Sequence, residues 1–306
     1  PLDEFSGQEF NTSCSIKIFV HPAAPILPYS ENDFESLAKE VLESQTTITG
    51  VQAKLSLHIT DDINKERKRF TIVGLWGGYI LKPPSVFFPK LPEVEHLTMQ
   101  LAKIAKIKTV PNSLIRLESG KLAFITKRVD RYKKEKLAME DMCQLTERLT
   151  EEKYQGSYEQ IGKAILKYSS TPGLDIINFF ELIIFCFLTG NADMHLKNFS
   201  LLENKKIGMT LSPAYDLINT KLVNPSDKEE MALTLNGKKR KLKKEDFTKA
   251  MLSLNIDAIQ QANIINKLIK CKTKWESAIE NSFLSVDFKK QYFSIINEKM
   301  QLFTSN

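Results

Sequence analysis

Cysteine is scarce in this chain: Cys14, Cys143, Cys186 and Cys271 are the only four in 306 residues, and none forms a Cys-x-x-Cys pair. That excludes a disulfide-stapled scaffold and a zinc ribbon, and it suits a reducing compartment. A long uninterrupted apolar run is missing as well. The most apolar stretch, Ile176 to Leu188, carries Asn178 and Glu181 and is too short to span a bilayer, so it reads as a helix for a protein interior. The first residues, Pro1-Leu2-Asp3-Glu4, show neither the basic n-region nor the apolar h-region of a signal peptide, and a cytoplasmic protein is expected. Low-complexity segments and internal repeats are lacking too. What is present is a globular composition, 42% hydrophobic, with a net charge of +6 and a pI of about 8.9. This length suits one large domain or two lobes, and the basic excess favours phosphate-bearing ligands or acidic partner surfaces without demanding nucleic acid.

Hydrophobic period divides the chain. Lys54 to Thr60 alternates, with Leu55, Leu57 and Ile59 on one face, and a charged turn from Asp61 to Lys68 leads into a second apolar run from Arg69 to Leu75. Leu91 to Ile107 changes to helical spacing, with Leu97, Leu101, Ile104 and Ala105 as the buried stripe and Pro92 at the start, where proline is tolerated. Leu114 to Leu117 and Leu122 to Ile125 flank Glu118-Ser119-Gly120-Lys121 as a hairpin. Beyond Arg128 helices take over: Met139 to Leu149, Tyr158 to Tyr168, Ile176 to Leu188, Ile256 to Ile269 and Val286 to Phe303. The expected fold is α+β and two-lobed, a β-rich N-lobe over residues 1–128 and an all-helical C-lobe over residues 129–306.

Gly190 stands where a left-handed residue would close the apolar helix, and a polar stretch follows at once: Asn191-Ala192-Asp193-Met194-His195-Leu196-Lys197-Asn198. Asp193 and Asn198 are five positions apart, the spacing by which a kinase catalytic loop supplies a base and a metal ligand. Asp216, in Pro213-Ala214-Tyr215-Asp216, is a second acid downstream, and Lys82, in Tyr79-Ile80-Leu81-Lys82, lies upstream on an expected strand. Phosphoryl transfer from ATP needs a cation on the phosphates, oxygen ligands on Mg²⁺ and a base facing the acceptor hydroxyl. Lys82 meets the first need, Asn198 and Asp216 the second, Asp193 the third. Glu95 is the first candidate to hold Lys82, with Glu93 the second. His195 and Lys197 are candidates for catalytic support, His195 by bracing the loop or touching substrate, Lys197 by neutralising the transferring phosphoryl group.

The segment Thr46 to Lys54, one glycine among hydroxyl residues, reads on its own as a turn before a strand; its place ahead of the sheet raises the alternative of a phosphate-binding loop in which Gly50, Val51, Gln52 and Lys54 would contact ATP. Phosphorylation of Thr47 or Thr49 would put negative charge where the ATP phosphates must sit, an off switch. The basic run Lys238-Lys239-Arg240-Lys241-Leu242-Lys243-Lys244 follows Met231 to Leu235 and the turn pair Asn236-Gly237. It reads as the solvated return strand of a hairpin, ahead of nucleic-acid contact.

Taken in order, Ile48-Thr49-Gly50-Val51-Gln52-Ala53-Lys54, Tyr79 to Lys82, Lys127 to Arg131, Glu140-Asp141-Met142-Cys143-Gln144, Gly190 to Ser200 and Pro213 to Asp216 resemble the HipA family of bacterial serine/threonine kinases, the toxin component of toxin–antitoxin modules. The resemblance runs from Thr46 to about Phe247. It implies ATP with Mg²⁺, the roles given above for Lys82, Asp193, Asn198 and Asp216, and autophosphorylation in the loop that holds Thr47 and Thr49, both threonine where relatives often have serine. Longer HipA proteins carry a small subdomain before this loop, and the segment ahead of Thr46 is too short for it. The chain therefore looks most like the short HipT-type kinases, whose partners are a small HipS-like antitoxin and a HipB-like helix-turn-helix protein on operator DNA. The family's targets, aminoacyl-tRNA synthetases, make a synthetase the expected substrate. Two rivals stand beside this reading: a small-molecule phosphotransferase with the same Asp-x-x-x-x-Asn loop, and a catalytically silent kinase-like scaffold in a repressor complex. Intact Lys82, Asp193, Asn198 and Asp216 argue against the scaffold.

Overall fold

Alternating side chains from Leu55 onward build an antiparallel sheet. In the computed structural model, which describes residues 11–30, 33, 54–61, 68–73, 76–85, 87–132 and 135–304, β1 (Leu55–Asp61), β2 (Lys68–Val73), β3 (Tyr79–Lys82), β4 (Asn112–Arg116) and β5 (Leu122–Lys127) lie in the order β2-β1-β3-β5-β4. Each neighbouring pair is antiparallel. Leu55, Leu57, Phe70, Tyr79, Leu81, Ile115 and Ile125 pack beneath it with Ile18 and Phe19 of α1 (Thr12–Phe19). The Tyr79 hydroxyl donates to the Ile18 carbonyl at 3.0 Å, which satisfies the polar end of a ring otherwise buried among Phe19 and Phe70. The turn before β3 lies so close to β1 that a Cβ on Gly77 would stand 2.3 Å from Ser56 Oγ and 2.6 Å from the Leu57 carbonyl oxygen. Only glycine fits there.

These strands belong to one of two compact units, Pro1–His96 with Val110–Val129; the other holds Leu97–Thr109 and Asp130–Asn306. Helix α2 (Leu91–Ile104) begins in the first and continues into the second. Within the second unit, β6 (Arg131–Tyr132) pairs with β7 (Glu135–Lys136), and β8 (Met139–Asp141), β9 (Ser200–Asn204) and β10 (Gly208–Leu211) form a three-stranded sheet in the order β10-β9-β8. The remainder is α3 (Met142–Leu145), α4 (Tyr158–Tyr168), α5 (Pro172–Leu188), α6 (Thr220–Val223), α7 (Lys244–Leu252), α8 (Ala258–Ile269), α9 (Lys272–Glu280) and α10 (Val286–Thr304). Helix α5 is buried from Phe179 to Leu188, consistent with its apolar run, and the one carboxylate there, Glu181, pairs with Lys267 at 2.5 Å. Trp275 of α9 donates its indole N–H to the Leu101 carbonyl at 2.9 Å, and Tyr292 of α10 shares a hydrogen bond with Thr98 at 2.9 Å.

Three sequence expectations need correcting. Met139 to Leu149 is not a helix: Met139–Asp141 is strand, and only Met142–Leu145 is helical. Asp141 caps α3 in a capping box with Gln144, so the helix starts there, and the residues before it pair with β9 instead. The second unit is consequently not all-helical, because the hairpin of β9 and β10 leaves one edge of β9 to be paired and β8 takes it. The Asn236-Gly237 turn does form, with φ of 49° and 75° and mutual hydrogen bonds between Leu235 and Lys238. The ladder goes no further than that bridge. Lys238 turns to Asp246 at 2.8 Å, and Leu242 tucks into the core, so the basic run is a capping loop for α7 rather than a strand.

Candidate functional site

In the first unit β3 carries Lys82 at its end, opposite Phe124 on β5. Its ammonium is buried and lies 2.5 Å from Glu95 Oε1 on α2 and 5.6 Å from the centroid of the Phe124 ring. Of the two carboxylates considered for this lysine, Glu95 makes the ion pair, while Glu93 pairs with Lys90 at 2.9 Å. Helical geometry explains the difference, since residues two apart point to different faces. Lys54, exposed, leads into β1. Thr47, Thr49, Gly50, Val51 and Gln52 lie outside the described residues.

In the second unit α5 ends in a Schellman motif: Asn191 N–H donates to the Cys186 carbonyl at 2.8 Å and Gly190 N–H to the Phe187 carbonyl at 3.3 Å. Gly190 has φ of 70°, as its expected closing role requires. The loop beyond is held along its length. Ala192 N–H donates to Thr220 Oγ1 at 2.8 Å, Asp193 N–H to Asn191 Oδ1 at 3.2 Å and His195 N–H to the Asp193 carbonyl at 2.9 Å. The Tyr158 hydroxyl takes the Met194 carbonyl at 3.0 Å and the Tyr215 hydroxyl the Lys197 carbonyl at 3.0 Å.

Asn198 donates its side-chain amide to the Asp193 carbonyl at 2.8 Å, which fixes which end of the amide is which. Its Oδ1 therefore points away, and among the described residues it accepts no hydrogen bond. Asp216 follows the same hairpin that Asn198 precedes. Leu201 pairs with Leu211, and Ser212 N–H reaches the Ser200 carbonyl at 2.9 Å, so both residues stand at one end of β9–β10. Asp216 adopts φ of 55°, a left-handed conformation uncommon outside glycine and short polar residues. An amide oxygen and a carboxylate are hard donors of the kind Mg²⁺ takes when phosphate oxygens and water complete its shell. Among the described residues no group of three or more His, Cys, Asp or Glu side chains gathers into a cage of its own.

One of the two candidates for catalytic support, Lys197, sits differently from its expected role. Lys197 points its ammonium at Asp141 Oδ2, 2.9 Å away, and so fastens the loop to the start of α3. His195 is buried. Burial pushes its pKa below the usual histidine value, with Asp193 opposing, so the ring is neutral near pH 7 and brings no cation to a phosphoryl group. One residue was missed altogether: the Tyr154 hydroxyl donates to Asp193 Oδ1 at 2.7 Å. Nothing in the local pattern around Tyr154 marks it, because the partner lies far along the chain.

Comparison with known proteins gives a consistent result. Residues 46–275 match the family model described as HipA-like C-terminal domain. A Haemophilus influenzae protein named "Putative kinase" is 32% identical over 208 residues, covering 64% of this chain and 58% of that protein. Another so named, Y4dM of Sinorhizobium fredii, is 33% identical over 188 residues, covering 57% and 45%. This chain spans about half the length of the curated relatives it matches. Among solved structures it is similar to a chain of the Shewanella oneidensis MR-1 toxin–antitoxin complex of HipA, HipB and operator DNA, with a TM-score of 0.67 at 20% identity over 87% of this chain and 70% of that one. The Helicobacter pylori proinflammatory kinase CtkA gives a TM-score of 0.53 at 16% identity over 73% and 84%. At these identities the two structures establish the fold, a kinase-like arrangement of antiparallel sheet and helices.

Proposed function

This chain belongs to the family of HipA-like C-terminal domains, and on that premise we propose that it is an ATP- and Mg²⁺-dependent protein serine/threonine kinase. The observation that carries the reading is the Asp193–Asn198 clamp, in which the amide of one holds the main chain of the other. It leaves Asn198 Oδ1 for a cation, and among the described residues Asp193 Oδ2 accepts no hydrogen bond. Mg-ATP, when bound, supplies the phosphoryl group and shields its charge. Asp193 orients the acceptor hydroxyl and takes its proton, Asn198 and Asp216 hold the cation, and Lys82, kept in place by Glu95, contacts the phosphates with Gly50, Val51, Gln52 and Lys54. His195 and Lys197 serve by bracing the loop.

In the same proposal the kinase is the toxin of a toxin–antitoxin module, phosphorylating a translation component such as an aminoacyl-tRNA synthetase and silencing itself through Thr47 or Thr49. The similarity to HipA, whose structure contains HipB and operator DNA, supports a HipB-like partner; the HipS-like antitoxin of a HipT-type kinase is part of the proposal. The test is radiolabelled phosphate transfer from ATP and Mg²⁺ to the chain itself and to a bacterial lysate, comparing wild type with Asp193→Ala. Label on protein bands that vanishes in the variant is expected, with a loss of at least a hundredfold. Absence of label from a preparation that binds ATP, and whose Thr47 and Thr49 are unmodified by mass spectrometry, would overturn the assignment. Label confined to small molecules would replace it with a metabolite phosphotransferase.

A further inference from the structure

Asp193 as base leaves open what aims its carboxylate. The terminal torsion of an aspartate is broad, so a base held only through its main chain presents either oxygen, or neither, to an incoming hydroxyl. Around Asp193 one side chain removes that freedom. Tyr154, just beyond the 3-10 turn Thr150–Glu152, donates its hydroxyl to Oδ1 at 2.7 Å. Its ring meets His195 edge to face, with centroids 5.0 Å apart at 82°, and Lys153 Nζ lies 5.0 Å from the same ring's centroid. The main chain fastens the arrangement, since Leu196 N–H donates to the Lys153 carbonyl at 3.1 Å. Two residues on, Gly156 accepts both the N–H and the hydroxyl of Thr234, at 3.3 and 3.1 Å. A tyrosine built in at both ends of its segment is a fixture of the loop and not a side chain that happens to rest there.

We propose that Tyr154 is a positioning residue for phosphoryl transfer: its hydroxyl pins Asp193 Oδ1, so that Oδ2 is the oxygen presented to the acceptor hydroxyl. The proposal rests on the kinase reading and on Asp193 as its base. Tyr154 is 44% exposed, yet partial desolvation, and after it the charge of Asp193, raise the phenol pKa well above the ordinary tyrosine value, so Tyr154 remains a donor throughout the working pH range. The hydrogen bond is to an ionised group, the stronger kind, and it ties the base to a ring that cannot rotate without losing its contact with His195.

The experiment compares wild type, Asp193→Ala, Tyr154→Phe and Tyr154→Leu in self-labelling and lysate labelling by Mg-ATP, each as a function of ATP concentration. Tyr154→Phe keeps the ring and removes one atom. The expected result is a saturating rate reduced about tenfold, the size of one hydrogen bond to a charged group, with the half-saturating ATP concentration and the melting temperature unchanged. Tyr154→Leu is expected to be at least as slow. If only Tyr154→Leu is impaired, the ring is structural and the proposal falls. A faster Tyr154→Phe would make the hydroxyl a competitor for the base, and phosphate on Tyr154 itself would make it an acceptor; either result overturns the positioning role. Should wild type also be silent while binding ATP and carrying unmodified Thr47 and Thr49, the kinase reading falls and takes this inference with it.

Discussion

Lys82 and Glu95 carry side chains only 6% and 2% exposed, and two charges so placed are held by each other. Removing Lys82 takes away the ammonium that lies 2.5 Å from the desolvated Glu95 carboxylate, which is costlier than never having had the pair. Lys82→Met is therefore expected to cost on the order of 3 kcal/mol in urea unfolding. The double variant Lys82→Met, Glu95→Leu is expected to recover most of that loss while labelling remains absent. Stability that returns without activity would separate the lysine's role on phosphate from its role in the core. Glu93 offers the control, because its partner Lys90 is half in water and the pair contributes well under about 1 kcal/mol.

At the scale of elements the decisive device is the end of α5. The last ten residues of the helix are apolar enough to be buried together, and the loop that follows must leave it abruptly, which the Schellman motif at Gly190 allows. With φ of 70°, and with an added Cβ only 2.8 Å from Asn219 Oδ1 and 3.0 Å from Ile295 Cγ2, position 190 accepts no side chain without strain. Gly190→Ala is expected to destabilise by about 1–2 kcal/mol, read as a lower denaturation midpoint, and to slow labelling as well, since Asn219 caps α6 and Thr220 holds the loop. A variant that lost stability but kept the full rate would show that the loop holds its form without its neighbours. The strand at Met139–Asp141 teaches the converse. Its sequence suits a helix, and a capping box at Asp141 together with the unpaired edge of β9 decides for a strand.

For the whole molecule, a ligand that binds only the folded state raises stability by mass action, about 2.7 kcal/mol at a hundred times its dissociation constant. Mg-ATP is accordingly expected to raise the melting temperature, and Asp216→Asn to abolish most of that rise without lowering the starting value, because asparagine tolerates the left-handed backbone that residue 216 adopts. An undiminished rise in the variant would remove Asp216 from the cation site. What the sequence by itself determined is local or periodic: the alternation of β1, the apolar run of α5, the glycine that ends it, and the spacing of Asp193 and Asn198, which sets both on one tight loop. These follow from nearest-neighbour geometry, and nearest neighbours are written in order along a chain. What only the tertiary structure decided is which distant groups meet. Asp141 takes Lys197 and Tyr154 closes on Asp193, while for Lys82 the fold settled on Glu95, the first of the two partners the sequence offered. No period or motif encodes such pairs, because each depends on how separate elements pack and on buried polar groups finding partners wherever packing puts them.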